Sequence, residues 1–82
     1  MDKRIIVRAI EDVTYFNFDE TEILGEVVAG QEYEAELFEE TEEYFTKDMF
    51  GREIYVAEIN HEGKFILDNV FEIVHPDFYN EI

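Results

Sequence analysis

The side chains of this chain that could do chemistry are almost all carboxylates. The sequence holds no Ser and no Cys, so the commonest hydroxyl and thiol nucleophiles are missing and no disulfide or thiolate site can form. His61 falls in an expected turn and His75 stands beside Pro76. Neither has a Cys or a second His at ligand spacing, which speaks against zinc. Residues 17–28 open like a calcium loop, with Asn17 and Asp19. The sixth position is Glu22, where glycine is needed, and the twelfth is Val28, where Glu is needed. Gly25, Gly30, Gly51 and Gly63 are isolated from one another and make no phosphate cradle. Paired carboxylates abound, yet no pattern selects two of them as acid and base. The expectation is a protein that is not an enzyme, with no catalytic residue, metal or cofactor.

What remains is charge. Lys and Arg number 6 and Asp and Glu 22, a net of −16. A small domain is comfortable at a magnitude of roughly 2–8. Such an excess opposes direct contact with nucleic-acid phosphates and with anionic membranes, and favours a basic protein surface. Between Arg8 and Lys47 there is no cation at all. That window carries Glu32, Glu34 and Glu36 in strict alternation with Tyr33, Ala35 and Leu37. On a strand, three carboxylates then project from one side at intervals of about 6.7 Å. Glu39, Glu40, Glu42 and Glu43 follow. Upstream, Tyr15, Phe16 and Phe18 sit among Glu11, Asp12, Asp19, Glu20 and Glu22. These aromatics either anchor a recognition surface or plug the open end of a barrel. Lys3, Arg4 and Arg8 either neutralise neighbouring acidic strands or lie free, and cross-strand charge pairing favours the first.

Strands must position these groups. Residues 3–10 alternate, with Ile5, Val7 and Ala9 on the expected core face. Residues 11–26 are a long aromatic loop, folded back like a hairpin, since a structureless loop of this length is uncommon in a compact domain. Gly30 opens the strand of residues 32–38. Residues 39–50 form either a short helix begun at Thr41 or a strand over residues 44–46 paired with residues 53–56. Glu53–Ile59 and Phe65–Leu67 are two strands joined at residues 60–63, where Gly63 supplies the left-handed conformation of a short hairpin loop. Residues 70–74 form a last strand. The expected core includes Val7, Tyr33, Ala35, Leu37, Val56, Phe65, Leu67, Phe71 and Ile73. Residues 75–82 are a short tail in which Pro76 ends strand pairing. Residues 1–82 read as one domain. The longest apolar run near the N-terminus, residues 5–7, is too short for a signal or a membrane span, so the chain is expected to be cytoplasmic.

The order of strand, long loop, strand, acidic insert, hairpin and final strand resembles the small SH3-like β-barrel proteins of Firmicutes and their phages, in which a Gly-then-aromatic strand is followed by a hairpin closed by Asn/Asp-x-Gly, a short helical turn and a final strand. Gly30, Tyr33, Gly63, Phe65, Phe71 and Val74 carry the resemblance. It implies an all-β, five-stranded SH3-like barrel; this sequence departs from the pattern in its long aromatic first loop and its charge, and places an acidic insert between the second and third strands. It carries over no functional residue, and this fold hosts many functions.

Two functions follow as expectations. In the first, the chain is an acidic interaction protein of phage or mobile-element origin that blocks a basic nucleic-acid-binding protein by DNA mimicry. Glu32, Glu34, Glu36, Glu39, Glu40, Glu42 and Glu43 would be its charged face, with Tyr15, Phe16 and Phe18 as anchors. In the second, it is an SH3-like module that binds a peptide or assembly partner through its aromatic loop, and its charge serves solubility alone. Either would be a monomer or a weak homodimer.

Overall fold

The computed structural model describes residues 3–74. They form eight strands: β1 (Arg4–Ala9), β2 (Val13–Phe16), β3 (Ile23–Val27), β4 (Glu32–Phe38), β5 (Glu43–Lys47), β6 (Glu53–Ile59), β7 (Phe65–Leu67) and β8 (Phe71–Ile73). No helix is present among the described residues, and none is long and apolar enough to cross a membrane. Six strands make one sheet in the order β7-β6-β5-β4-β1-β8, and β2 and β3 make a separate hairpin. The two edge strands, β7 and β8, are consecutive in the chain. The turn between them is pinned, with the Asp68 N–H donating to Val56 O at 2.9 Å and the Phe71 N–H to Asp68 O at 3.1 Å. Drawing its edges together this way makes the sheet a nearly closed, barrel-like wrap.

The expected alternation holds best in β1 and β4. Ile5, Val7 and Ala9 face the core and meet Ala35 and Tyr33 across an antiparallel register. Tyr44, Ile54, Val56, Ala57, Val27, Val70 and Phe71 complete the cluster. Adjacent Val56 and Ala57 are both buried, which strict alternation forbids. A bulge resolves this: Tyr44 pairs with Ala57 and Phe45 with Tyr55, leaving Val56 as the extra residue on β6. The turn at residues 60–63 forms as expected. Asn60 Oδ1 accepts the Glu62 and Lys64 N–H groups at 2.9 and 3.0 Å, and Gly63 sits at φ 81°.

Not every expectation holds. The sheet system has eight strands where five were expected. The long first loop is folded back as a hairpin, as expected, and its arms are paired strands, β2–β3, whose alternation is too short and too interrupted to read from sequence: Leu24 bulges and Gly25 leaves a gap opposite Tyr15. That gap is filled, because a Cβ at Gly25 would overlap the Ile54 side chain, so the hairpin lies directly on β6. The acidic insert, residues 39–50, is a turn at residues 39–42 that joins β4 to β5, then β5 itself, then the start of the turn into β6. Tyr44–Phe45–Thr46 is the strand of the two alternatives, paired with β6. Lastly, Phe65 and Ile73 remain 37% and 40% exposed. They lie on three-residue edge strands with one neighbour each, although the Phe65 ring still meets the Tyr44 ring edge-on at 5.6 Å. Leu37 and Leu67 are partly buried against the core. The expected tail, residues 75–82, lies outside the described residues.

Candidate interaction surface

The β1–β4 register sets Arg4 opposite Glu36 and Arg8 opposite Glu32. Arg4 reaches Glu36 at 3.2 Å and Glu34 at 3.8 Å. Arg8 bridges Glu32 on one side and Glu72 of β8 on the other, at 3.1 and 3.0 Å. Lys3 meets Glu39 at 2.8 Å, and that contact lowers the Glu39 carboxyl below its ordinary value. The outward carboxylates of β4 are therefore matched by the cations of β1. Exposed pairs of this kind contribute little stability. Their consequence is electrostatic, because the most regular row of acids on the molecule is partly cancelled.

Glu40, Glu42 and Glu43 have no such partners among the described residues. They occupy the β4–β5 turn and the start of β5. Glu42 is held at φ 58° by two main-chain bonds, its N–H to Phe38 O at 2.7 Å and the Ile59 N–H to its carbonyl at 2.8 Å. A left-handed non-glycine residue costs roughly 1–2 kcal/mol. Glu43 stands directly opposite Glu58, a like-charge pair. Glu58 accepts the Tyr55 hydroxyl at 3.0 Å. Burial, then that bond and the charges of Glu58, Glu43 and Asp68, push the Tyr55 hydroxyl up to about 12.

At the β2–β3 tip, one residue organises the turn. Asn17 Oδ1 accepts the N–H groups of Thr21 and Glu22 at 2.8 and 3.2 Å, and its Nδ2 donates to Thr21 Oγ1 at 3.0 Å. Glu20 closes the turn at φ 60°. The result holds Phe18 100% exposed between Asn17 and Asp19, with Phe16 48% exposed below it. Tyr15 does not join them. It shares the parity of Val13 and turns inward against the core. Its hydroxyl is buried without a hydrogen-bond partner among the described residues. Burial first, then the charges of Asp68 and Glu11, raise its pKa.

The fastening of this hairpin was not legible in the sequence. Asp48, at the start of the β5–β6 turn, has a fully buried side chain. Its Oδ1 accepts the N–H groups of Phe50 and Arg52, both at 2.9 Å. Its Oδ2 accepts Arg52 Nε at 2.9 Å and, from β3, the Glu26 N–H at 3.1 Å. Burial pushes the Asp48 carboxyl up, but these bonds outweigh it and hold the group below its ordinary value. Arg52 also reaches Ile23 O at 3.4 Å and lies 4.9 Å over the Phe50 ring. An Asp opening a turn with Gly at its fourth residue is a readable turn signal. Its bond to residue 26 is not.

The tip is thus tethered at Ile23 to the β5–β6 turn, whereas Glu39, Glu40, Glu42 and Glu43 sit at the other end of β5. Of the expected acids, those of the β4–β5 turn are thus set apart from the exposed Phe16 and Phe18. A separate feature runs between β4 and β5: an open groove of about 430 Å³, with Phe38 at one end, Met49 at the other and Phe45 along its wall. The Phe45 ring stacks edge-on between Phe38 and Tyr55, with centroids at 5.3 and 6.1 Å. Glu32, Glu34, Glu36 and Glu53 border the groove, against the single cation Lys47. Among the described residues, no group of three or more His, Asp or Glu side chains is placed to hold a metal ion.

No protein-family model, curated protein or solved structure matches the chain.

Proposed function

We propose that this chain is a non-enzymatic interaction protein that docks on a basic protein, using the aromatic tip of its β2–β3 hairpin as the anchor. The observation that carries this is Phe18. A fully exposed phenylalanine, held on a turn by the bonds of Asn17 and flanked by Asp19, Glu20 and Glu22, is preorganised for an apolar pocket with a cationic rim. The strained conformation of Glu20 agrees, since strain of this kind persists where a local shape is selected. The strand order and the barrel-like closure support the SH3-like reading of the fold, and with it the module form of the function. DNA mimicry is the sharper alternative and requires one continuous array of free carboxylates. Arg4 and Arg8 interrupt that array on β4, which favours the module.

The test is capture of a partner from a cell lysate at low and high salt, with the unaltered chain and with Phe18→Ser. The proposal expects a basic protein, bound less well as salt rises and lost with Phe18→Ser. A partner that is acidic, or that Phe18→Ser leaves bound, sinks it. If the partner is a nucleic-acid-binding protein that DNA displaces competitively, the mimicry form gains over the module form.

A further inference from the structure

Two turns meet beside Ile23, and both put aromatic side chains into solvent. The first is the β2–β3 tip, where the bonds of Asn17 hold Phe18 fully exposed. Below it, Phe16 stands opposite Ile23 across the hairpin, so these two share its outward face, away from the inward Tyr15. The second is the β5–β6 turn. The Gly51 N–H closes it on Asp48 O at 2.9 Å, with Gly51 at φ 82°. That leaves Met49 and Phe50 as its two projecting residues, 75% and 67% exposed. Arg52 joins the turns. Its Nη1 donates to Ile23 O at 3.4 Å, its Nη2 lies 3.9 Å from the Glu26 carboxylate of β3, and its guanidinium lies 4.9 Å over the Phe50 ring. An apolar strip therefore runs from Phe18 through Phe16 and Ile23, across Arg52, to Phe50 and Met49. Its exposed area is on the order of 600 Å², the upper end of the largest patch an ordinary monomer shows.

We infer that this strip is one two-pronged docking surface, and that its partner is a cleft in a folded basic protein with apolar seats for Phe18 and for Phe50. The inference rests on the reading of the chain as an interaction protein and extends its anchor from one turn to two. Shape selects a cleft. Both phenylalanines project from tight turns, and each is held before any partner arrives, Phe18 by Asn17 and Phe50 by its N–H to Asp48 Oδ1 and by the adjoining guanidinium. Charge selects a basic cleft. Asp19, Glu20, Glu22 and Glu26 border the strip, and Arg52, the cation within it, is bonded through Nε to the Asp48 carboxylate. The same acids oppose a second copy as occupant, because a two-fold interface would set them against each other. They oppose an anionic membrane as well.

The probe is per-6-amino-β-cyclodextrin, a ring with an apolar cavity and a cationic rim, used singly and as bridged pairs with bridges of several lengths. Binding is followed by calorimetry and by amide shifts of the isotope-labelled chain. The single ring should bind weakly and move the amides of Phe18 and Phe50. The bridged pair at its best length should bind at least roughly tenfold more tightly, since its second ring closes on a neighbouring seat. Phe18→Ser and Phe50→Ser should each return the pair to single-ring affinity. Both side chains are exposed, so the fold is kept, and circular dichroism checks this. No gain at any bridge length overturns the inference, and so does a gain that survives Phe50→Ser. The unaltered chain sedimenting as a dimer that Phe50→Ser dissolves, or binding phosphatidylcholine vesicles, would assign the strip to another occupant and overturn it too. The protein captured from lysate should be lost with Phe50→Ser as with Phe18→Ser. Loss with Phe18→Ser alone removes the second prong and leaves the hairpin anchor standing; retention by both variants sinks the two readings together.

Discussion

Removing the Asp48 carboxylate should cost this protein a large part of its stability. Its buried oxygens accept three main-chain N–H groups and Arg52 Nε, and they join the β5–β6 turn to β3. Removing one partner of a buried ion pair costs about 3–5 kcal/mol. Arg52 is 30% exposed and can recover some hydration, which places Asp48→Ala nearer about 3 kcal/mol. Asp48→Asn is the sharper probe. Its remaining oxygen can still serve Phe50 and Arg52, but its amide would face two donors, Arg52 Nε and the Glu26 N–H, so a loss of about 2 kcal/mol is expected. A chain of this size has roughly 4–12 kcal/mol in all. The chain lacks Trp, so urea unfolding is followed by tyrosine fluorescence and far-ultraviolet circular dichroism. The pH dependence supplies a second reading. The folded-state pKa lies below the unfolded one, so the Asp48 contribution is complete above the unfolded value of about 3.9 and is lost as pH falls through the folded value. The gap between unaltered chain and Asp48→Asn should be constant near neutrality and shrink only in that acid window. A variant within about 0.5 kcal/mol of the parent, the usual range of surface substitutions, would refute the staple.

Two further outcomes follow from buried or strained groups. Tyr15→Phe removes a buried hydroxyl that has no partner among the described residues, so the urea midpoint should hold or rise, by up to about 1 kcal/mol; a clear loss would show that the hydroxyl is bonded. Glu42→Gly relieves a left-handed glutamate at the cost of a looser unfolded chain, for a net gain of about 0.5–1 kcal/mol. Glu42→Gln is its control, and an equal gain there would assign the effect to charge.

Features set by one stretch of chain were legible in the sequence. The faces of β1 and β4 follow from residue parity, and the Asn60–Gly63 turn from two residues three apart. The inward turn of Tyr15, away from Phe16 and Phe18, was also a matter of parity, hidden because β2 is only four residues long. What could not be read depends on pairing across the chain. Thr46 is buried because its hydroxyl meets Glu34 O, against its polarity, while Phe45 beside it faces outward. The cancellation of Glu32, Glu34 and Glu36 required the β1 register, and the groove beside Lys47 required the pairing of β4 with β5.

The place of β1 between β4 and β8 also bears on how the chain folds. Among the described strands, the one that carries Arg4 and Arg8 comes first in the chain, yet one of its neighbours, β8, comes last. Pairings so distant in sequence close slowly. Until they form, β1 is an open edge with Ile5, Ile6 and Val7 in a row, suited to pairing with another copy. Arg4 and Arg8 bracket that apolar run. The same cations that match Glu32, Glu36 and Glu72 in the folded sheet stand where charged gatekeepers stand beside an apolar strand.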